Sequence, residues 1–261
     1  MAKNFNLSLN KKTFLSNKFF HLFEIDNFLP DDEYTALLNS FPSDKYFKNR
    51  DNIYGKDTFS CKDESFKNFL DENYNWKVLF ESFNNNKYLK SAFFSSLIAN
   101  LKSRGLGALK IWTLDKSKIP FFLKPFFREL EVTFMFTKIR DKKNILPHTD
   151  TPSKFLSMIY YFPSNNLTKK NMGNTLFWKN INNSKKWKNW RNKHISVDEY
   201  ESFKADHEIL HEAKYSKNKL VGFVKSENSW HSVDKIDLGS NEARQTLNIF
   251  IRIKKNNITS H

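Results

Sequence analysis

The feature that most limits the fold of this chain is a change of hydrophobic period near Glu129. Upstream, apolar residues recur at helical spacing: Phe66, Phe69 and Leu70 stand at i, i+3 and i+4. Downstream, the chain breaks into short β-branched and aromatic runs over 130–140, 155–162, 173–178, 219–224 and 245–253. Helices first and strands after is the pattern of an α+β chain whose sheets form a barrel or jelly roll buttressed by the helices. The whole of 1–261 reads as one domain, with strand and helical support over 18–128 and a sheet core over 129–254.

Local signals fill in the first half. Residues 1–17 are polar and read as loosely ordered, and Phe19–Asp26 as a strand. Asp31, Asp32 and Glu33 open a helix at the end where its dipole favours negative charge; Leu37, Leu38 and Phe41 give it an apolar face before Pro42. Helical patterns cover 65–83 and 87–101. Residues 43–60 read as a polar loop with Tyr46, Phe47 and Tyr54 as lid or packing aromatics, and 141–145 as a polar turn. An insert over 180–218 is long enough to read as a mobile segment or substrate lid.

Composition narrows the setting. One cysteine excludes an internal disulfide, and no apolar leader or spanning run is visible, so the expectation is a cytoplasmic protein without a membrane span. The net charge of +15 suits an anionic substrate, nucleic acid or a solvated lysine-rich surface. Trp178, Lys185, Lys186, Trp187, Lys188, Trp190, Arg191 and Lys193 interleave rings with cations, as base stacking and phosphate contact require. That makes a nucleic-acid-binding protein one alternative.

The chemistry gathers around Leu146-Pro147-His148-Thr149-Asp150. On an extended segment His148 and Asp150 point to the same side, so an imidazole and a carboxylate can share one cation. His231 follows the fourth strand and can supply a third ligand across a closed sheet. Such a set suits Fe(II) in a facial triad, or zinc in a hydrolase that keeps a water in the open position. Arg244 enters a largely apolar strand, where an unpaired guanidinium is costly, so it needs an anionic partner; Thr246 shares its face. His207 and His211 have helical i, i+4 spacing but lack the glutamate of H-E-x-x-H. With His21, His194 and His261 they read as core or solvated residues.

In this order, His148-x-Asp150, His231 and Arg244-x-Thr246 resemble the 2-oxoglutarate/Fe(II)-dependent dioxygenases, in particular the prolyl 4-hydroxylase-like branch. Ser157-x-x-Tyr160-Tyr161 resembles that branch's second core strand, and Gly173-Asn174-Thr175-Leu176-Phe177 its Gly-Gly-x-x-x-Phe stretch, with Asn in place of the second Gly. Phe223 with Trp230-His231 resembles the strand and turn before the distal ligand, and Phe23–Pro30 the entry segment. The resemblance implies a double-stranded β-helix and a hydroxylase acting on a C–H bond of a small molecule or peptide, peptidyl prolyl or amino-acid-like in the first instance. It implies Fe(II) on His148, Asp150 and His231, and 2-oxoglutarate on Arg244, Thr246, Tyr161 and Ser157. O2 is the co-substrate, and ascorbate a further candidate. The presence of Asp150 implies hydroxylation rather than halogenation, which needs that ligand position free for chloride.

Overall fold

The computed structural model describes residues 14–15, 22–51, 56–84, 111–113, 119–140, 145–163, 172–188, 191–236 and 242–253. The expected helix over 87–101, most of the polar N-terminal segment, the turn at 141–144, Tyr54 and Trp190 lie outside these residues. In chain order the strands are β1 (Phe14–Leu15), β2 (Leu22–Ile25), β3 (Lys48–Asp51), β4 (Lys56–Ser60), β5 (Ile111–Thr113), β6 (Phe127–Arg140), β7 (Ile145–Thr149), β8 (Lys154–Tyr161), β9 (Thr175–Asn180), β10 (Lys193–His194), β11 (His207–Ala213), β12 (Leu220–Val224), β13 (Trp230–Val233) and β14 (Ala243–Ile253). The helices are α1 (Asp31–Asn39), α2 (Phe66–Glu72), α3 (Tyr74–Asn84) and α4 (Val197–Asp206).

Two sheets result, ordered β1-β2-β12-β8-β14-β6-β4-β3, with β5 beside β6, and β10-β7-β13-β9-β11. From β6 onward the chain crosses between them at almost every step: β6, β8, β12 and β14 join the larger sheet, and β7, β9 and β13 the smaller. That alternation is the winding of a jelly roll. Pairing is antiparallel apart from β5 with β6.

The period of two decides what each face of the larger sheet meets. Leu247, Ile249 and Ile251 join Phe134, Phe136, Leu156, Met158 and Tyr160 on the outer face, where α1–α3 cover them. Trp76 of α3 meets Phe136 edge-on at 4.7 Å. On the inner face Ile139, Tyr161, Val221 and Phe223 pack with Ile145, Phe177 and Val233 of the smaller sheet. Arg244, Thr246 and Asn248 share that inner face, so the space between the sheets is apolar in one part and polar in another.

Four expectations are corrected. The pattern over 65–83 forms two helices, because the Asn73 amide donates to the Phe69 carbonyl at 2.8 Å and ends α2. Within 43–60 the chain forms the β3–β4 pair on the sheet edge, and Tyr46 packs on Phe59 at 5.1 Å rather than serving as a lid. The insert over 180–218 is not a loop: it carries β10, α4 and β11, and α4 starts with a reciprocal Ser196–Glu199 capping box. Trp178, Trp187, Ile195, Phe203 and Trp230 form its own small core. With Trp187 fully buried and its indole N–H donating to Asp206 at 2.6 Å, neither Trp178 nor Trp187 offers a face to a nucleic-acid base. His207 and His211, read as core or solvated residues, stand on strand β11 with a bulge between Ile209 and His211, His207 buried and His211 half-buried. Among the described residues no helix is long and apolar enough to cross a membrane.

Candidate active site

The register of the smaller sheet brings distant histidines side by side. His148 on β7 lies opposite His231 on β13 and, on its other flank, opposite His194 on β10. The His148 and His231 rings are 4.2 Å apart between centroids, and His194 stacks on His148 at 5.0 Å. In both central histidines Nδ1 lies 3.1 Å from the carbonyl two residues earlier, Leu146 for His148 and Ser229 for His231. A carbonyl only accepts, which assigns the proton to Nδ1 and leaves each Nε2 lone pair for a ligand.

Asp150 lies just past β7, 5% exposed. Its Oδ1 meets the Lys154 ammonium, and its Oδ2 accepts from the Ser157 hydroxyl at 2.5 Å. Burial alone would raise its pKa, but Lys154 and the two histidines hold the carboxyl far below the usual range. Burial pushes His231 down to about 4; burial, reinforced by His231, pushes His148 well below its ordinary value. At neutral pH the group is therefore two neutral imidazoles and one carboxylate, the protonation state a divalent cation requires. The donor set thus fits such a cation in its chemistry. Among the described residues no three His, Cys, Asp or Glu side chains are drawn into a closed cage. Here the Asp150 oxygens are directed at Lys154 and Ser157.

Arg244 opens the other half of the site. It is 2% exposed. Its Nε donates to the Gly173 carbonyl at 2.6 Å and an Nη donates to Thr175 Oγ1 at 3.0 Å. The guanidinium lies 5.3 Å from the Tyr161 ring and 5.0 Å from that of Tyr215. Gly173 has φ +72°, and a Cβ there would come within 3.1 Å of Arg244 Cδ, so the turn and the close approach both call for glycine. Burial pulls the Arg244 pKa down, yet a guanidinium stays protonated, and among the described residues no carboxylate pairs with it.

These two halves line one pocket, with about 520 Å3 of empty volume including its mouth. His148, Asp150, His231, Arg244, Thr246 and Ser157 all reach it. Tyr161 does not: its hydroxyl donates to Thr175 Oγ1 at 2.6 Å, behind the guanidinium, and burial pushes its pKa up to about 12. Ser157 holds Asp150 rather than standing beside Arg244. Sequence reasoning missed Lys56, Thr137, Lys154, Thr175 and Asn248, which also line the pocket. The period of two along β14 points to Asn248, next after Thr246 on the same face; nothing local marks Thr175.

No protein-family model matches the chain, and no curated protein matches it. Among solved structures it is similar to a prolyl-4-hydroxylase from Pseudomonas putida, at 12% identity over 89% of this chain and 92% of that one, with a TM-score of 0.45. It is also similar to a prolyl hydroxylase from Trichoplax adhaerens in complex with a hypoxia inducible factor peptide fragment, at 13% identity, 89% and 83% coverage and a TM-score of 0.49. A third is HygX from Streptomyces hygroscopicus with nickel, 2-oxoglutarate and hygromycin B bound, at 8% identity, 94% and 88% coverage and a TM-score of 0.49.

Proposed function

We propose that this chain is an Fe(II)- and 2-oxoglutarate-dependent dioxygenase of the prolyl 4-hydroxylase-like kind, hydroxylating a C–H bond of a small-molecule or peptide substrate. The observation that carries the reading is Arg244: a buried guanidinium with no carboxylate partner among the described residues, facing the same pocket as two imidazoles and a carboxylate. A buried charge is tolerated when something pairs it, and a planar fork matches a carboxylate in two parallel hydrogen bonds.

His148 and His231 through Nε2, with Asp150, would hold Fe(II). Bound there with 2-oxoglutarate and O2, the metal supplies oxidative decarboxylation to succinate and CO2 coupled to oxidation of the substrate C–H bond. The chain's own residues do the rest. Arg244 and the Thr246 hydroxyl bind the far carboxylate of the 2-oxo acid. Gly173 and Thr175 fix the guanidinium from behind, and Tyr161 fixes Thr175. Ser157 orients Asp150, and the Leu146 and Ser229 carbonyls orient the two imidazoles. Ile139, Ile145, Ile159, Phe223 and Val233 line the same pocket and exclude water from it.

A zinc hydrolase on the same three ligands gives Arg244 nothing to pair with. Protein reconstituted with Fe(II) should convert 2-oxoglutarate to succinate, with loss in His231→Ala. Absence of 2-oxoglutarate binding, with hydrolysis by the zinc-loaded protein, would replace this reading with the hydrolytic one.

A further inference from the structure

The inner face of β14 carries cations at both ends. Arg244 stands at one. At the other, the Lys154 ammonium covers the Phe250 ring at 4.0 Å and the Arg252 guanidinium lies 5.0 Å from the same ring. Side chains two apart share a face, so 244, 246, 248, 250 and 252 form one row. Arg252 donates from Nε to Thr133 Oγ1 at 3.0 Å, and among the described residues no carboxylate pairs with it. Glu131, its register neighbour on β6, makes no ion pair with it. Lys225, 5% exposed, adds a further ammonium close to Asp150 and Lys154, and burial pushes its pKa down to about 8.

The charge of the pocket is one-sided. Its lining holds Lys154 and Arg244 against the single carboxylate of Asp150. A divalent cation and a dicarboxylate carry equal and opposite charge, so loading both leaves this positive surplus unchanged. A cation held by Asp150 would compete with Lys154 for the carboxylate that is its partner here. Lys154 and Phe250 line the pocket, and Arg252, half-buried, stands against the same ring just beyond that lining; two cations gathered on one ring repel each other unless an anion bridges them.

We propose that Lys154 and Arg252, set against the Phe250 ring, form an oxyanion subsite for the primary substrate, which therefore carries a carboxylate or phosphate group. The subsite rests on the dioxygenase reading for its place beside the reacting centre. It is distinct from the Arg244 end, which takes the 2-oxo acid. It makes Lys154 and Arg252 determinants of substrate choice.

The test uses full-length protein saturated with Mn(II) and 2-oxoglutarate, titrated separately with inorganic phosphate and with 13C-labelled acetate. The readout is paramagnetic relaxation of the 31P or 13C nucleus by the bound Mn(II). Saturable relaxation is expected in the wild type for at least one probe, and the probe that gives it identifies the oxyanion. The apparent affinity should fall roughly tenfold in Lys154→Met and in Arg252→Met, the loss expected for a hydrogen bond to a charged group. It should be kept in Lys154→Arg and Arg252→Lys, whose circular dichroism and unfolding midpoints report the fold. No saturable relaxation with either probe, or equal affinity in the Met variants, overturns the subsite. Failure of the dioxygenase reading shows separately, as absence of protein-bound Mn(II) by electron paramagnetic resonance. In that case calorimetric titration of phosphate and acetate into the metal-free protein decides: heat lost in the Met variants supports the subsite, and no heat or unchanged heat overturns it.

Discussion

Replacing Arg244 by Met separates a ligand-binding guanidinium from a structural one. In the wild type it makes hydrogen bonds to the Gly173 carbonyl at 2.6 Å and to Thr175 at 3.0 Å, and lies over two tyrosine rings. Two such bonds to a charged group and two ring contacts total about 4–10 kcal/mol. Against that stands the cost of burying a charge with no carboxylate partner among the described residues, itself several kcal/mol. The ligand-free variant should therefore unfold within about 2 kcal/mol of the wild type. Its 2-oxoglutarate affinity should fall much further. Removing one side of a buried hydrogen-bonded charge pair costs about 2–5 kcal/mol, or about 30-fold to a few thousand-fold. Thermal unfolding with Mn(II), with and without 2-oxoglutarate, reads both quantities. At a hundred times the wild-type dissociation constant the ligand adds about 2.7 kcal/mol to the wild type, and less than about 1 kcal/mol to the variant. Arg244→Lys, which keeps the charge but loses the fork, should fall between. The reasoning is refuted if the variant keeps the full ligand-induced gain, or if it loses more than about 5 kcal/mol without ligand.

Other expectations follow from the same geometry. Gly173→Ala should cost about 1–2 kcal/mol, because φ is +72° and the new methyl crowds Arg244, and it should weaken 2-oxoglutarate binding measured by calorimetry. Ser157→Ala frees one Asp150 oxygen and should weaken Mn(II) binding about tenfold, read by electron paramagnetic resonance, with little change in the urea midpoint. Trp187→Ala should cost about 3–5 kcal/mol in urea unfolding, since the indole is fully buried in the small core of the insert. Acidification should destabilise the metal-free protein. The folded pKa of His231, about 4, lies below the ordinary 6.5, so the unfolded chain takes up the proton first. Stability from this group is complete above about pH 6.5 and falls as pH drops towards 4, by about 2 kcal/mol between pH 7 and 5. His148 acts in the same direction. Urea midpoints at the two pH values check this, and a His231→Asn variant with the wild-type slope would count against it.

The period-two runs of β6, β8, β12 and β14 were legible because one face of each meets helices and the other meets the opposite sheet. The pocket residues His148, Asp150, His231, Arg244 and Thr246 were legible because imidazoles, carboxylates and buried guanidiniums have few uses on strands. β7 and β13 were not read as strands; they are short, polar and set by register with each other rather than by their own pattern. β11 was hidden because its polar residues show no period of two, and the bulge between Ile209 and His211 interrupts the alternation that a regular strand would give. The insert read as a lid because its core is assembled from residues on several elements: Trp187 packs on Phe203 of α4 and on Trp230 of β13. The turn of Tyr161 away from the pocket depends on Thr175, a partner on another strand that no local spacing reveals.

The central claim is that one pocket binds a divalent metal and 2-oxoglutarate together. Calorimetry of 2-oxoglutarate into the chelated and the Mn(II)-loaded protein, beside a His148→Ala/Asp150→Ala double variant, tests it most directly. The account predicts one metal per chain, 2-oxoglutarate binding strengthened by that metal, and loss of both in the double variant. Metal and 2-oxoglutarate binding that both survive the double substitution would contradict it.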